Sequence, residues 1–167
     1  KVRKQKNIKA AFKWARGHAK STHVDIFFPL WLKALDELNV MVLVGKSQDN
    51  AITLLSDVQA ELEYNQRYIS DFGNQVKAGS WEEGQFVTSD NRAFFARGRG
   101  QSPRGLRYRD KRPDYIAIDD IDDDELVENE ARVNKLTDWV REALFGALDG
   151  GRGRFVIVGN LISYNSV

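Results

Sequence analysis

The sequence predicts an α/β fold in which helices cover both faces of a mostly parallel sheet. Residues 41–45, 114–118 and 154–158 are short, almost wholly apolar runs. Such runs are typical of parallel strands that are buried on both faces. Segments with helical periodicity lie between them, and strands that alternate with helices favour a parallel sheet.

Composition indicates one globular domain. The chain has 167 residues, of which 42% are hydrophobic and 29% charged, so it can bury a sizeable core. It has no cysteine, which excludes disulfide frameworks and thiolate metal sites and suits a reducing cell interior. No apolar run approaches the length of a membrane span, and we expect no signal peptide. The net charge of +1 argues against a protein that binds nucleic acid through bulk charge.

The first elements surround a glycine-containing turn. Residues 8–14 are mostly apolar and can end a strand. Residues 23–38 carry apolar side chains at helical spacing, although Pro29 is expected to kink or break that helix. Beyond the strand at 41–45, Ser47 or Asp49 can cap a long helix that ends between residues 65 and 71.

The second half of the chain is less regular. Residues 85–89 and 92–96 can form a hairpin with its turn at 90–91. Residues 97–113 contain glycine, proline and several arginines, which indicates a loop. Residues 128–148 have the apolar periodicity of a helix, and the glycines after it end that helix.

The stretch WARGHAKST, residues 14–22, has the layout of a phosphate-binding loop. In such a loop a strand leads through a short turn into Lys-Ser-Thr and a helix, and the backbone N–H groups and the lysine face an anion. The standard pattern has glycine where this chain has Trp14 and Ala19. We therefore expect different dihedrals, because alanine is restricted at positive φ. The alternative is a basic, solvated turn capped by Ser21 or Thr22.

Polar residues follow several of the predicted strands: Arg16 to Thr22, Gly45 and Lys46, Asp119 and Asp120, and Gly159 and Asn160. Ligands bind at the carboxyl ends of parallel strands, so these residues are expected to converge on a nucleotide site. Lys20 would contact the β- and γ-phosphates of ATP, and Ser21 and Asp119 would hold Mg²⁺. Asp120 would orient and deprotonate the attacking water. Two adjacent carboxylates repel each other, so a dication or a lysine must lie nearby. The alternative is that the two acids cap the next helix.

Other polar residues have weaker assignments. Asn160 can contact the γ-phosphate or the attacking water, or it is an ordinary turn residue. Arg104 and Arg107 can stabilise a transition state, in cis or from a neighbouring subunit, or contact DNA phosphate; the alternative is that they are solvated loop residues. His18 and His23 have no metal-binding companion and receive no metal role.

Three stretches together resemble the ATPase domain of the large terminase subunit of tailed bacteriophages. They are ARGHAKST (residues 15–22), ARGRGQSPRGLRYRDKRPDYIAIDD (residues 96–120) and RFVIVGN (residues 154–160). Their order and separations also fit, and the likeness extends over nearly the whole chain. It implies a P-loop NTPase fold of the ASCE, helicase-like type. It also implies a motor that uses ATP and Mg²⁺ to move viral double-stranded DNA into a procapsid.

The resemblance assigns roles by position. It implies that the variant Walker A loop, which binds ATP, consists of Arg16, Gly17, His18, Ala19, Lys20, Ser21 and Thr22. Asp119 would be the Walker B magnesium ligand, and Gly159 with Asn160 the coupling motif. Asp120 stands where many members have a catalytic glutamate; it is shorter by one methylene, so Glu125 is a second candidate base.

The resemblance also implies partners and context. These are double-stranded viral DNA, the portal protein, the small terminase subunit and a homo-oligomeric ring, in the host cytoplasm during virion assembly. Family members usually carry a nuclease domain after the ATPase, and residues 1–167 are expected to be the ATPase domain alone, monomeric in isolation. Two alternatives stay open: another P-loop nucleic-acid motor such as a helicase core, and a degenerate DNA-binding domain without ATPase activity.

Overall fold

The computed structural model of the protein describes residues 7–14, 17–103, 105–123 and 128–159. Its strands are β1 (Ile8–Lys13), β2 (Val40–Gly45), β3 (Val76–Glu82), β4 (Gln85–Thr88), β5 (Ala93–Gly98), β6 (Tyr115–Asp119) and β7 (Arg154–Gly159). Its helices are α1 (Thr22–Phe27 and Phe28–Ala34), α2 (Gln48–Tyr64), α3 (Gln66–Phe72) and α4 (Glu130–Trp139, Val140–Leu144 and Phe145–Ala147). Within this part of the chain, no helix is both long enough and apolar enough to span a bilayer.

The strands form one mostly parallel sheet in the spatial order β1-β7-β6-β2-β5-β4-β3. Five neighbouring strands, β1, β7, β6, β2 and β5, pair in parallel. At the other edge β4 and β3 add an antiparallel extension. The prediction of an α/β fold with a mostly parallel sheet is therefore confirmed. The predicted hairpin is also present as β4 and β5, whereas β3 was not predicted.

The core lies on both faces of the sheet, as its central strand shows. All six residues of β2 are buried. Met41 and Leu43 pack in one cluster with Leu30 of α1 and Leu55 of α2. The alternate residues of β2 pack in a second cluster with α4. Each face of the sheet therefore buries the apolar side of a helix. Burial of one aliphatic side chain stabilises the fold by about 1.5–3 kcal/mol. The prediction of helices on both faces is confirmed.

Helix α1 continues through Pro29 without a break. Its first part is π-helical, and the Phe28 N–H bonds the carbonyl of His23, five residues earlier. The next bond in that register would join Pro29 to the carbonyl of Val24, and proline has no N–H. The buried hydroxyl of Tyr115 donates to the Val24 carbonyl at 2.7 Å instead. A tertiary hydrogen bond thus satisfies a group that the proline leaves without a helical partner.

The other helices follow the sequence with local changes. The Ser47 side chain caps α2 by accepting from the Asn50 N–H, so Ser47 rather than Asp49 is the cap. That helix ends at Tyr64, one residue before the predicted limit. The Asn65 side chain accepts from the Arg67 and Tyr68 N–H groups and starts α3 as a separate short helix. In the loop predicted at 97–113, the described residues from Arg99 onward are irregular, apart from a bridge between Tyr108 and Lys111.

Candidate functional site

The carboxyl ends of β1, β7 and β6 lie side by side. Lys13, the last residue of β1, is paired with Gly159 of β7, and Asp119 of β6 is paired with Val158. Hydrogen bonds continue beyond the strands, since the Trp14 N–H donates to Gly159 O at 3.2 Å. The loop after β1 and the acids after β6 are therefore brought to one edge, with the end of β7 between them.

In the described part of the loop after β1, two residues have positive φ. Gly17 has φ +78° and Ala19 has φ +55°. The expectation that alanine would keep the loop out of positive φ is therefore wrong, and the chain accepts a cost of about 1–2 kcal/mol for an L-residue in this region. The Ala19 carbonyl then accepts from the His23 N–H at 3.0 Å, so the first helical turn begins directly after it.

Lys20 meets both acids. Its Nζ lies 3.1 Å from Asp119 Oδ1 and also forms an ion pair with Asp120 Oδ1. The Ser21 hydroxyl donates to Asp119 Oδ2 at 2.5 Å. The side chains of Lys20 and Asp119 are 11% and 4% exposed, whereas that of Asp120 is 46% exposed. The expected meeting of the lysine, the hydroxyl and the two acids is present, with Asp120 nearest to solvent.

The charges in this cluster stabilise one another. Burial lowers the pKa of the Lys20 amine, but hydrogen bonds and charge from Asp120 and Asp119 outweigh it and raise that pKa above its ordinary value. The amine is therefore a cation throughout the physiological range. It supplies the positive charge that two adjacent carboxylates require. Asp120 also has φ +42°, a conformation that non-glycine residues adopt rarely and that is frequent at functional sites.

Asp25 is a further acid in this cluster that sequence reasoning missed. It lies on α1 and is 1% exposed, and neither carboxyl oxygen has a hydrogen-bond partner in the described part of the chain. Burial, followed by the neighbouring charge of Asp119, raises its pKa well above the ordinary value. Its one signal in the sequence was a lone acid inside an apolar helical run.

The other predicted site residues that the structure describes differ in exposure and position. Gly17 and His18 are exposed in the loop, and Thr22 lies half-buried at the start of α1. Arg107 is exposed and lines a separate cavity of about 490 Å³ together with Arg112 and Glu142. A role for Arg107 in trans stays a prediction.

Four further predictions fall on residues outside the described ranges. These residues are Arg16, Arg104, Glu125 and Asn160.

The donor set fits Mg²⁺. In the residues described here, no group of three or more His, Cys, Asp or Glu side chains is arranged to hold a metal ion. Mg²⁺ does not need such a group, because it takes hard oxygen ligands, keeps several waters and binds one or two carboxylates together with substrate phosphates. The Ser21 hydroxyl and the Asp119 carboxylate, which already contact each other, are donors of that kind.

Comparison of the sequence with protein-family models and with curated proteins gives no match.

Proposed function

We propose that this chain binds a nucleoside triphosphate with Mg²⁺ at the Lys20 cluster and hydrolyses its terminal phosphate. The observation that carries the proposal is the contact of Lys20 with Asp119 and Asp120, at the carboxyl edge of a parallel sheet. A glycine-containing turn and a helix N-terminus adjoin the same lysine, and features of both kinds can supply N–H groups to an anion. Such an arrangement supports a P-loop NTPase.

The chain's own residues supply the chemistry. In this proposal Lys20 transfers its hydrogen bonds from the acids to the β- and γ-phosphates. That transfer frees the Asp120 carboxylate, which is half-exposed and can accept a proton from a water molecule. Ser21 and Asp119 would hold Mg²⁺, which when bound offsets the negative charge on the phosphate oxygens. The shorter side chain of Asp120 requires the water to approach close to the strand end.

The finer function rests on the resemblance to terminases. We propose that hydrolysis drives movement of double-stranded DNA, with neighbouring subunits in a ring that supplies an arginine to each site. The basic loop after β5 supports a nucleic-acid partner, because Arg99, Arg107 and Arg109 lie within it. The portal protein and the small terminase subunit are proposed partners on the same ground.

A phosphate-release assay tests the hydrolysis step. With MgATP the parent chain should release phosphate, and Asp120→Asn should lower that rate by roughly 10²–10⁴-fold, the usual contribution of a general base. Asp57→Asn, an exposed position on α2, removes the same charge and should leave the rate unchanged. Equal rates in Asp120→Asn and the parent would refute the assignment of Asp120. Because a neighbouring subunit supplies an arginine to each site in the proposed ring, the assay is done at both low and high protein concentration.

A degenerate domain without ATPase activity is the second candidate. Two observations favour it: Ala19 replaces a glycine at positive φ, and Lys20 is already paired with both acids. In that case no MgATP would bind even at millimolar concentration. Binding of MgATP would instead support the nucleotide site of the first candidate, whose hydrolysis step is tested separately by phosphate release.

A further inference from the structure

A cavity of about 310 Å³ lies between the first half of α4 and the loop after β5. It shares no residue with the Lys20 cluster. Its size is at the small end of the range for ligand pockets. The residues that define its chemistry are Arg99, Asp123, Arg132, Lys135, Leu136 and Trp139.

The wall of this cavity is cationic. Arg99 forms an ion pair with Asp123 at 2.6 Å, and its guanidinium also donates to the Ile121 carbonyl. Arg132 and Lys135 are exposed, and neither forms an ion pair with any acid in the described ranges. They lie three residues apart on one helix, where like charges repel each other. An anion between them would remove that repulsion.

The floor of the cavity is apolar and partly aromatic. Leu136 is buried, and Trp139 is half-buried. The indole N–H of Trp139 donates to the Gln101 carbonyl at 3.0 Å, which holds the ring against the loop. A fixed indole beside two cations offers a stacking surface next to an anion site.

We infer that this cavity binds a nucleotide unit, with its phosphate between Arg132 and Lys135 and its planar base on Trp139. A free mononucleotide and one residue of a nucleic-acid strand present the same chemistry. The inference does not depend on the proposed ATPase function, because its residues lie outside the Lys20 cluster.

Binding measurements on the full chain in EDTA test this site. The probes are dTMP, a fluorescein-labelled oligothymidylate and inorganic phosphate, each at low salt. Lys135→Glu should weaken binding of the nucleotide probes at least tenfold. Arg67→Glu, at an exposed position on α3, makes the same change of net charge and should weaken binding less than twofold. Circular dichroism checks that both variants fold.

The outcomes distinguish a free nucleotide from a nucleic-acid strand, and they include the results that would overturn the proposed site. Binding of dTMP supports a free nucleotide, and binding of the oligonucleotide alone supports a strand. Equal losses in Lys135→Glu and Arg67→Glu would overturn the site, as would phosphate binding as tightly as dTMP. Loss of nucleotide binding in a folded Lys20→Ala variant would also overturn it, because the probe would then occupy the other cluster.

Discussion

Asp25 gives the sharpest prediction about stability, because it is an acid buried beside a second carboxylate, that of Asp119. Its pKa is raised in the folded chain, so its contribution to stability is full below the unfolded pKa and is lost as pH rises through the folded pKa. Each pKa unit of that rise lowers the stability above the folded pKa by about 1.4 kcal/mol. The substitution Asp25→Asn removes the ionisable carboxyl and keeps a side chain of nearly the same shape. The variant should therefore be more stable than the parent at pH 7, by on the order of 1 kcal/mol.

The assay is urea unfolding of the parent and Asp25→Asn between pH 3.5 and 8, in EDTA so that no dication binds. The advantage of the variant should be near zero at the acid end and should grow as pH rises. Asp57→Asn is the matched control, since it removes an exposed carboxyl from α2. A difference between parent and Asp25→Asn that does not change with pH would refute the reasoning, because it would mean that burial does not oppose ionisation of Asp25.

Three further substitutions test the local structure by urea or thermal unfolding. Ala19→Gly should stabilise the chain by up to ~1 kcal/mol, because the strain of alanine at positive φ costs more than the extra conformational entropy of glycine in the unfolded chain. A destabilised variant would argue against the loop conformation. Tyr115→Phe should cost about 1–3 kcal/mol, because a carbonyl of α1 loses its partner, and an unchanged midpoint would show that this hydrogen bond is not formed. Gly98→Ala should cost about 1–3 kcal/mol, because its Cβ would lie 2.7 Å from the Gln48 nitrogen. Gly146→Ala, whose Cβ meets nothing within 4 Å, is the control and should not destabilise.

The elements that could be predicted from sequence are those whose own residues indicate whether the element is buried. The short, wholly apolar run of β2 is typical of a strand buried on both faces, and β6 is apolar up to Asp119. The edge strand β3 was missed because its residues are only half-buried or exposed and it contains Gly79 at positive φ. A half-exposed strand has neither a continuous apolar run nor a clean alternation.

The part of the candidate site that lies at the carboxyl ends of strands could be predicted from the sequence. Asp119 and Asp120 come directly after one predicted strand, and Lys20 lies in the turn that follows another. The parallel topology brings both strand ends to one edge of the sheet. Asp25 was not predicted, and it lies in the π-helical first part of α1. The sequence pattern does not distinguish that register from an ordinary helix.

The most direct test of the account is equilibrium binding of a fluorescent ATP analogue with Mg²⁺ to the parent, Lys20→Ala and Lys46→Ala. Lys46 is exposed after β2 and controls for the loss of one lysine. The account predicts saturable binding by the parent and Lys46→Ala, and its loss in a Lys20→Ala variant whose circular dichroism is unchanged. Equal binding by all three chains would contradict it, as would the absence of binding to the parent at millimolar nucleotide.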